Sequence, residues 1–202
     1  MPDNSFPETW KDPRLRHNET IDLACETHIC AQGQNLGHMP RIYHICTLLK
    51  PKVIVETGIG AQGHGSSTYT FLEICREMGA CLISIDTDNN QWFLKKFPDL
   101  DYKPWIFIQK RSVDAIKELD VRIDLLHLDS DHGTGYVTEE LNAALPKMSE
   151  KHVMTTHDAE GLAGTAFSEF YKNHPEYTFK RFQDWHWQDF LTKNPELFKG
   201  LI

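Results

Sequence analysis

The chain alternates short runs of branched apolar residues with helical segments, and this alternation is the feature that most constrains its fold. Runs such as Val53-Ile54-Val55 and residues 123–128 are typical of buried strands. Between such runs, apolar residues recur at helical spacing, as in residues 66–78, where Gly79 follows the predicted end. Alternating strands and helices predict an α/β fold, a doubly wound Rossmann-like sheet with helices on both faces.

The predicted elements follow one another over most of the chain. Strands are expected at residues 53–55, 82–85, 105–108, 123–128 and 152–156, with a closing pair at 177–182 and 185–191. The sheet is therefore expected to be mostly parallel, with an antiparallel last strand. Helices are expected at residues 66–78, 89–97, 113–119, 138–148 and 163–173. Two earlier helical segments lie between residues 20 and 50 and are separated by a break from Gln32 to Pro40.

The composition is that of a globular protein with an acidic balance. Hydrophobic residues make up 40% and charged residues 25% of 202 residues, which excludes wholesale disorder and allows one full-sized core. The net charge of −8 argues against a broad grip on nucleic acid or on an anionic membrane. We find no apolar run typical of a secretory signal or a membrane span. The five cysteines include no CxxC pair, which predicts free thiols and a cytoplasmic protein.

A glycine-rich loop follows the first predicted strand and leads directly into a helix. Residues 53–65 read VIVETGIGAQGHG. Glycines permit a tight turn and leave no side chain to exclude a ligand, and the next helix presents its N-terminal N–H groups to that ligand. Asp86 ends the second strand, 21 residues after Gly65, where a carboxylate can bind both hydroxyls of a ribose. We predict a nucleoside-containing ligand here, and a plain structural turn is the alternative.

An acidic residue, Glu56, stands two positions before the first glycine of the loop. A carboxylate there would repel a pyrophosphate and suits a cofactor that presents a cation. The motif Glu56-Thr57-Gly58-Ile59-Gly60 resembles the first motif of class I S-adenosylmethionine (SAM)-dependent methyltransferases. The resemblance extends over about residues 40–182. Within that class the chain looks like the small-molecule O-methyltransferases, which include the macrocin-type and catechol-type enzymes.

The resemblance implies a set of cofactor-binding residues. They are Glu56, Gly58, Gly60, Gly63, Asp86 and Ser112. Glu56 and the glycines would lie beside the methionine part of SAM, and Asp86 would bind the ribose. Arg111-Ser112 stands where many relatives have Asp-Ser, so Arg111 departs from the pattern and only Ser112 carries over. We further predict a division of the chain into residues 1–50, an N-terminal arm and helices that form a lid or dimer arm, and residues 51–202, the methyltransferase domain.

A second group of polar residues follows the fourth and fifth predicted strands. Residues 127–132 read HLDSDH, and His157-Asp158 comes one strand-and-helix unit later. Because neighbouring parallel strands end at the same edge of a sheet, we expect Asp129 and Asp131 to face His157 and Asp158. A divalent cation would relieve the repulsion among these carboxylates and stabilise a substrate alkoxide. Oxygen ligands favour Mg²⁺, Ca²⁺ or Mn²⁺, whereas an imidazole favours Mn²⁺ or a later transition metal.

The resemblance assigns roles within this group. Asp-Gly-Asp-His after the fourth strand and His-Asp after the fifth are frequent in one bacterial branch of these enzymes. It implies that Asp129, His157 and Asp158 hold a divalent cation, Mg²⁺ or Mn²⁺, with His157 where metal-dependent members have a second acid. Asp131 or His132 would be the catalytic base. Two alternatives remain: the residues cap strand ends and bind loop amides, or they act in acid–base chemistry without a metal.

The predicted function is a SAM-dependent methyltransferase that O-methylates a small-molecule hydroxyl with help from a divalent cation. Its expected partner is a small molecule, with neither nucleic acid nor membrane, and residues 1–50 suggest a homodimer. One alternative is an oxygenase that uses the His/carboxylate cluster as an iron site, a scheme in which the Glu56 loop has no role. Another alternative is a non-catalytic SAM-binding domain.

Overall fold

The seven strands form one sheet, with the first and fourth strands near its centre. The computed structural model describes residues 38–59, 66–100, 102–183 and 187–201. The strands are β1 (Val53–Thr57), β2 (Cys81–Asp86), β3 (Trp105–Gln109), β4 (Ile123–Leu128), β5 (Met148–Thr156), β6 (Thr178–Phe182) and β7 (Gln188–Thr192). Their order is β3-β2-β1-β4-β5-β7-β6. The first five are parallel and β7 is antiparallel to its neighbours β5 and β6, so the predicted fold class is confirmed.

Helices cover both faces of the sheet. They are α1 (His38–Leu49), α2 (Ser66–Met78), α3 (Gln91–Lys96), α4 (Ser112–Glu118), α5 (Thr134–Ala144) and α6 (Leu162–Asn173), with 3₁₀ turns at Leu145–Lys147 and Pro195–Phe198. The first three helices bury apolar side chains such as Ile45 and Phe71 against one face. The last three bury side chains such as Leu141 and Phe167 against the other. None of these described helices is both long and apolar enough to cross a membrane.

Most predicted elements are confirmed, and the differences have local causes. Helix α1 begins at His38, inside the predicted break, and carries Pro40 in its first turn, where a missing N–H breaks no helical hydrogen bond. Helix α5 starts four residues earlier than predicted, at Thr134. It also ends four residues earlier, at Ala144, because Pro146 cannot continue an α-helix. Met148 therefore begins β5 instead of ending the helix. The first predicted helix lies outside the described residues, and the domain division at residue 50 stays a prediction.

The sheet has a switch point between β1 and β4. From there β2 and β3 lie to one side and β5 to the other, and open α/β sheets bind ligands beyond the carboxyl ends of the strands at this point. Backbone hydrogen bonds extend the sheet into the following turns. The Asp129 N–H donates to the Thr57 carbonyl at 2.9 Å, and the Ala159 N–H donates to the Trp187 carbonyl at 2.7 Å. The turns after β1, β4 and β5 are thereby tied to neighbouring segments.

Candidate functional site

A cavity of about 600 Å³ opens at the carboxyl ends of β1 to β4. The turns after these strands and the start of α5 supply its lining, which includes Gly58, Asp86, Asp88, Lys110, Arg111, Ser112, Asp129, Ser130, Asp131 and Tyr136. Residues predicted to bind a cofactor therefore share one cavity with residues predicted to act on a substrate. The strand order produces this meeting, because the first motif follows β1 and the second follows its neighbour β4.

The turn after β1 depends on glycine at position 58. Gly58 has a φ of +80°, and its N–H donates to the Ile85 carbonyl at 2.8 Å. A Cβ atom at this position would lie 2.1 Å from the carbonyl oxygen of Asp129. Only glycine permits this conformation together with such a close approach of two backbones. Gly60 and Gly63, also predicted to bind the cofactor, lie outside the described residues.

Asp86, at the end of β2, stabilises the turn after β1 by hydrogen bonding. Its Oδ2 accepts a hydrogen bond from the Ile59 N–H at 2.8 Å, and its Oδ1 accepts one from the Asp88 N–H at 2.9 Å. Each carboxylate oxygen can accept a further hydrogen bond, so these contacts leave room for ligand hydroxyls. The carboxylate thus stands where the sequence predicted it, at the cavity edge beside Gly58, and its role on a ribose stays a prediction.

Glu56 is fully buried beneath the glycine turn. The Ser84 hydroxyl donates to Glu56 Oε1 at 2.6 Å, and the Trp105 indole N–H donates to Ser84 Oγ at 2.7 Å. Burial raises the pKa of Glu56 to about 8, and the Asp129 charge acts in the same direction. Hydrogen bonding by Ser84 and by the first turn of α2 opposes part of that shift. The side chain therefore lies in a site where its ionised form needs a positive partner.

Ser112 forms part of the opposite wall of the cavity. Its hydroxyl and the Tyr136 hydroxyl are 2.9 Å apart and share a hydrogen bond. The Arg111 guanidinium lies 5.6 Å from the centre of the Tyr136 ring, within the range of a cation–π contact. The contact of Ser112 with α5 could not be read from the motif, because it depends on how α4 and α5 pack.

Glu140 is a buried acid that the sequence analysis missed. It is fully buried on α5, and the Ser130 hydroxyl donates to its Oε1 at 2.7 Å. Burial raises the pKa of Glu140, and hydroxyl groups including those of Ser112 and Ser130 oppose the shift. A signal was present, because Glu140 shares its helix face with the buried residues Val137 and Leu141. Glu140 therefore links α5 to the turn that carries Ser130, one of the residues that line the cavity.

Four side chains after β4 and β5 form an Asp/His cluster: Asp129, His132, His157 and Asp158. His132 Nε2 lies 3.2 Å from Asp129 Oδ1, and His132 Nδ1 lies 3.5 Å from Asp158 Oδ2. His157 Nδ1 lies 3.5 Å from a carboxylate oxygen of each aspartate. Asp158 has a φ of +53°, a left-handed conformation that aspartate tolerates better than most residues. The predicted convergence of the two strand ends is therefore present.

Contacts between aspartates and histidines in the Asp/His cluster shift the pKa values of three of its residues. Burial would raise the pKa of Asp129, but hydrogen bonds from His132 and His157 hold it well below its ordinary value. The Asp129 hydrogen bond raises the pKa of His132. Burial opposes the same effect on His157, whose pKa is nevertheless raised by Asp129 and Asp158. Contacts with the aspartates therefore favour the protonated form of each imidazole relative to a free histidine.

Three of these residues could share a metal ion. Ligand atoms of Asp129, His132 and Asp158 lie within 4.8 Å of one another. His132, which was predicted as a candidate base, thus stands with two predicted metal ligands. His157, the third predicted ligand, contacts the same two aspartates but is not one of the three residues in this group. Asp131 is exposed, and its Oδ1 accepts a hydrogen bond from the Gly133 N–H at 2.7 Å. The roles of base and ligand within this group stay predictions.

The fold and the cavity define an α/β protein with a cavity at the switch point of its sheet, where open α/β sheets bind ligands. Residues 55–159, just over half of the chain, match the family model described as Methyltransferase domain. The chain therefore belongs to this methyltransferase family. The recognition of a class I SAM-dependent methyltransferase is confirmed by this match together with the fold. A search of curated protein sequences gives no significant match.

Solved structures share this fold at low sequence identity. The methyltransferase PaMTH1 from Podospora anserina, bound to S-adenosylhomocysteine (SAH), has a TM-score of 0.63 at 14% sequence identity. The match covers 92% of this chain and 88% of that one. The O-methyltransferase TomG from Streptomyces achromogenes, in complex with SAM, has a TM-score of 0.62 at 12% identity, over 93% and 90%. An rRNA methylase from Streptococcus thermophilus has a TM-score of 0.62 at 12% identity, over 81% and 99%. Such different acceptors on one fold mean that the acceptor has to be argued from the site.

Proposed function

We propose that this protein transfers a methyl group from SAM to a hydroxyl of a small molecule, with a divalent cation in the Asp/His cluster. The observation that carries the proposal is the contact between the two halves of the cavity. A Cβ atom at Gly58 would lie 2.1 Å from the Asp129 carbonyl oxygen, so the turn expected to hold the donor touches the start of the acceptor cluster. Methyl transfer needs donor and acceptor adjacent and aligned, which this contact favours.

Residues that line the cavity, together with the buried Glu56 behind the turn after β1, fit the chemical groups of SAM. Asp86 keeps free acceptor capacity at the cavity edge and would bind the ribose hydroxyls. The buried carboxyl of Glu56 would neutralise the ammonium group of the methionine part. Ser112 lies on the opposite wall, on the side where the resemblance puts the adenine. Bound SAM would supply an activated methyl group and leave as SAH, and the SAM and SAH complexes of the structural relatives support this choice.

The Asp/His cluster fits a divalent cation. Asp129, His132 and Asp158 offer two carboxylates and one imidazole within 4.8 Å, and His157 adds a second imidazole beside them. A mixed nitrogen and oxygen set favours Mn²⁺ or a later transition metal over Mg²⁺. A cation bound there would lower the pKa of a hydroxyl that contacts it. An imidazole that binds the cation has to be in its neutral form, so a cation and protons would compete for these side chains.

The base that deprotonates the acceptor depends on the role of His132. If His132 contacts the cation, its nitrogen is occupied, and Asp131 on the same loop is the remaining candidate. Asp131 lines the cavity and is exposed, so it can receive a proton from the acceptor and pass it to solvent. Without a cation, either Asp131 or the neutral form of His132 would take the role.

The acceptor is proposed to be a small molecule. A cavity of about 600 Å³ is in the range of small-molecule sites, and it must hold both donor and acceptor. The net charge of −8 disfavours an RNA acceptor, although one structural relative is an rRNA methylase. The O-methyltransferase among the structural relatives supports a hydroxyl as the receiving group.

Calorimetry with two carboxylate variants tests the donor and the cation separately. SAH is titrated into chelator-treated protein, and Mn²⁺ is then titrated into the same protein. We expect wild type to bind both. Asp129→Asn should lose Mn²⁺ and keep SAH, because an amide oxygen is a poorer ligand than a carboxylate. Asp131→Asn is the matched control on the same loop and should keep both.

Each result decides one part of the proposal. A folded protein that binds no SAH would refute the methyltransferase, and tight Fe²⁺ binding by that protein would favour the oxygenase alternative. Binding of SAH without binding of Mn²⁺ or Mg²⁺ would remove the cation and leave Asp131 or His132 as an unaided base. A non-catalytic SAM-binding domain is excluded once transfer of the methyl group to any acceptor is detected.

A further inference from the structure

Three side chains from three adjacent strands form a line of hydrogen bonds that ends at Glu56. Trp105 on β3 donates through its indole N–H to Ser84 on β2 at 2.7 Å, and Ser84 donates to Glu56 on β1 at 2.6 Å. Glu56 and Ser84 are partners in the β1–β2 register, so both side chains stand on the same face of the sheet. The line runs from the edge of the sheet to the residue beneath the glycine turn.

The direction of these hydrogen bonds is fixed by chemistry. An indole N–H can only donate, so Ser84 Oγ accepts from Trp105. The Ser84 hydroxyl hydrogen is then available for Glu56 Oε1, which accepts it. Both hydrogen bonds have their positively polarised hydrogen on the side that faces the carboxyl group. Hydrogen bonds in series strengthen one another in a buried site. The arrangement therefore offsets part of the cost that burial imposes on the ionised form of Glu56, and it holds Oε1 in place.

The second carboxyl oxygen of Glu56 is held less firmly than the first. The residue is fully buried, and its Oε2 accepts no hydrogen bond within ordinary distance and angle limits from the described residues, although the hydroxyl groups of Ser67 and Thr68 also favour the ionised form. Burial raises its pKa to about 8, so the carboxylate is unfavourable until a cation approaches. A buried acid that is firmly anchored at only one oxygen is suited to a positively charged group that would reach the other.

We propose that Ser84 and Trp105 are positioning residues that hold the Glu56 carboxylate for the ammonium group of the methyl donor. This inference rests on the proposed function, because it assumes that SAM or SAH enters the cavity. Ser84 acts directly on Glu56, and Trp105 acts through Ser84. Neither residue belongs to the glycine motif, and the relay exists only because β2 and β3 lie beside β1 in the sheet.

Trp105 is held in place for this role by other aromatic rings. The Phe93 ring lies 5.3 Å and the Tyr102 ring 5.4 Å from the indole, centre to centre. Such packing fixes the plane of the indole, and therefore the direction of its N–H. Trp92 lies in the same region, 5.6 Å from the Phe93 ring, but its N–H donates to no acceptor in the described part of the chain. The two tryptophans thus form a natural comparison.

The test uses two ligands that differ only at the amino group. The dissociation constants of SAH and of its analogue without the α-amino group are measured by calorimetry for wild type, Ser84→Ala, Trp105→Phe and Trp92→Phe. Ser84→Ala should weaken SAH binding about tenfold and analogue binding by no more than about twofold, because only SAH presents a cation to Glu56. Trp105→Phe should weaken SAH binding about threefold, again with little effect on the analogue. Trp92→Phe should leave both ligands unaffected.

The pair of ligands separates positioning from a structural role. Equal weakening of both ligands in Ser84→Ala or in Trp105→Phe would overturn the proposal, since a distorted cavity would not distinguish them. Unchanged SAH binding in both variants would also overturn it. If Ser84→Ala does not fold, Trp105→Phe keeps the aromatic packing and decides the question alone. Failure of wild type to bind either ligand would instead refute the proposed function on which the inference rests.

Discussion

Replacing Gly58 by alanine tests the close contact between the turns after β1 and β4. A Cβ atom there would lie 2.1 Å from the Asp129 carbonyl oxygen and 2.7 Å from its carbonyl carbon. Both are backbone atoms, and the Asp129 N–H is itself bound to the Thr57 carbonyl at 2.9 Å. The contact can therefore be relieved only by separating the two turns, which would also change the cavity.

The matched control is Gly79→Ala. Gly79 also has a positive φ, +67°, but a Cβ there would meet no heavy atom of the described residues within 4 Å. Both variants bear the cost of alanine in the left-handed region, about 1 kcal/mol. Only Gly58→Ala must also displace packed backbone, which adds about 2 kcal/mol or more. We therefore expect unfolding free energies lower by about 1 kcal/mol for Gly79→Ala and about 3 kcal/mol for Gly58→Ala.

Urea unfolding, followed by circular dichroism, measures both free energies of unfolding. Titration with SAH adds a second readout, because Gly58→Ala should also weaken binding while Gly79→Ala should not. Equal losses of stability in the two variants would refute the reasoning, since the contact with Asp129 would then carry no cost. Retention of wild-type SAH affinity by Gly58→Ala would show that the spacing between the two turns does not shape the cavity.

Two further predictions concern individual carboxylates, and a third concerns the cation. Asp86→Ala should weaken SAH binding about tenfold or more in calorimetry, and Asp88→Ala should have a smaller effect; equal effects would contradict a ribose contact by Asp86. Burial raises the pKa of Glu56 to about 8, so the folded protein keeps this proton at pH values where the unfolded chain has lost it. The free energy of unfolding should therefore fall as the pH rises from about 5 to 8, by at most about 4 kcal/mol. Glu56→Gln should therefore show a flatter pH dependence of urea unfolding than wild type, and parallel curves would argue against this pKa. With an acceptor in hand, excess chelator should abolish turnover and leave SAH affinity intact, whereas full turnover in chelator would exclude a catalytic cation.

The alternation of strands and helices was readable from the sequence because each element has its own period. Strand β4 lies at residues 123–128, as predicted, because its apolar run is bounded on both sides by polar residues. The ends of α5 were less readable. Gly133 and Thr134 look like loop residues, yet the helix begins at Thr134 because Gly133 adopts an extended conformation at its N-cap. Pro146 was the available signal for its end.

The site was predictable where its residues stand at the ends of strands. Asp129 and Asp158 could be brought together because neighbouring parallel strands end at one edge of a sheet, and Asp86 could be placed at the end of β2 for the same reason. Ser84, Trp105 and Glu140 could not, since their contacts depend on sheet register and helix packing that no local pattern encodes. The detailed arrangement of the two histidines is a further case. The spacing of the motifs does not distinguish His132 from His157 as the partner of Asp129.

The hydrogen bond between Ala159 and Trp187 has a consequence for the timing of folding. It ties the loop that carries His157 and Asp158 to a segment made late in synthesis, and β7 then inserts between β5 and β6. As the chain leaves the ribosome, β1 to β4 and the glycine turn can assemble while β5 still lacks this neighbour. A nascent chain that ends before residue 187 would therefore possess the turns after β1 and β2 and lack the anchor of the loop that carries His157 and Asp158. The Asp/His cluster would thus be the last part of the site to become fixed.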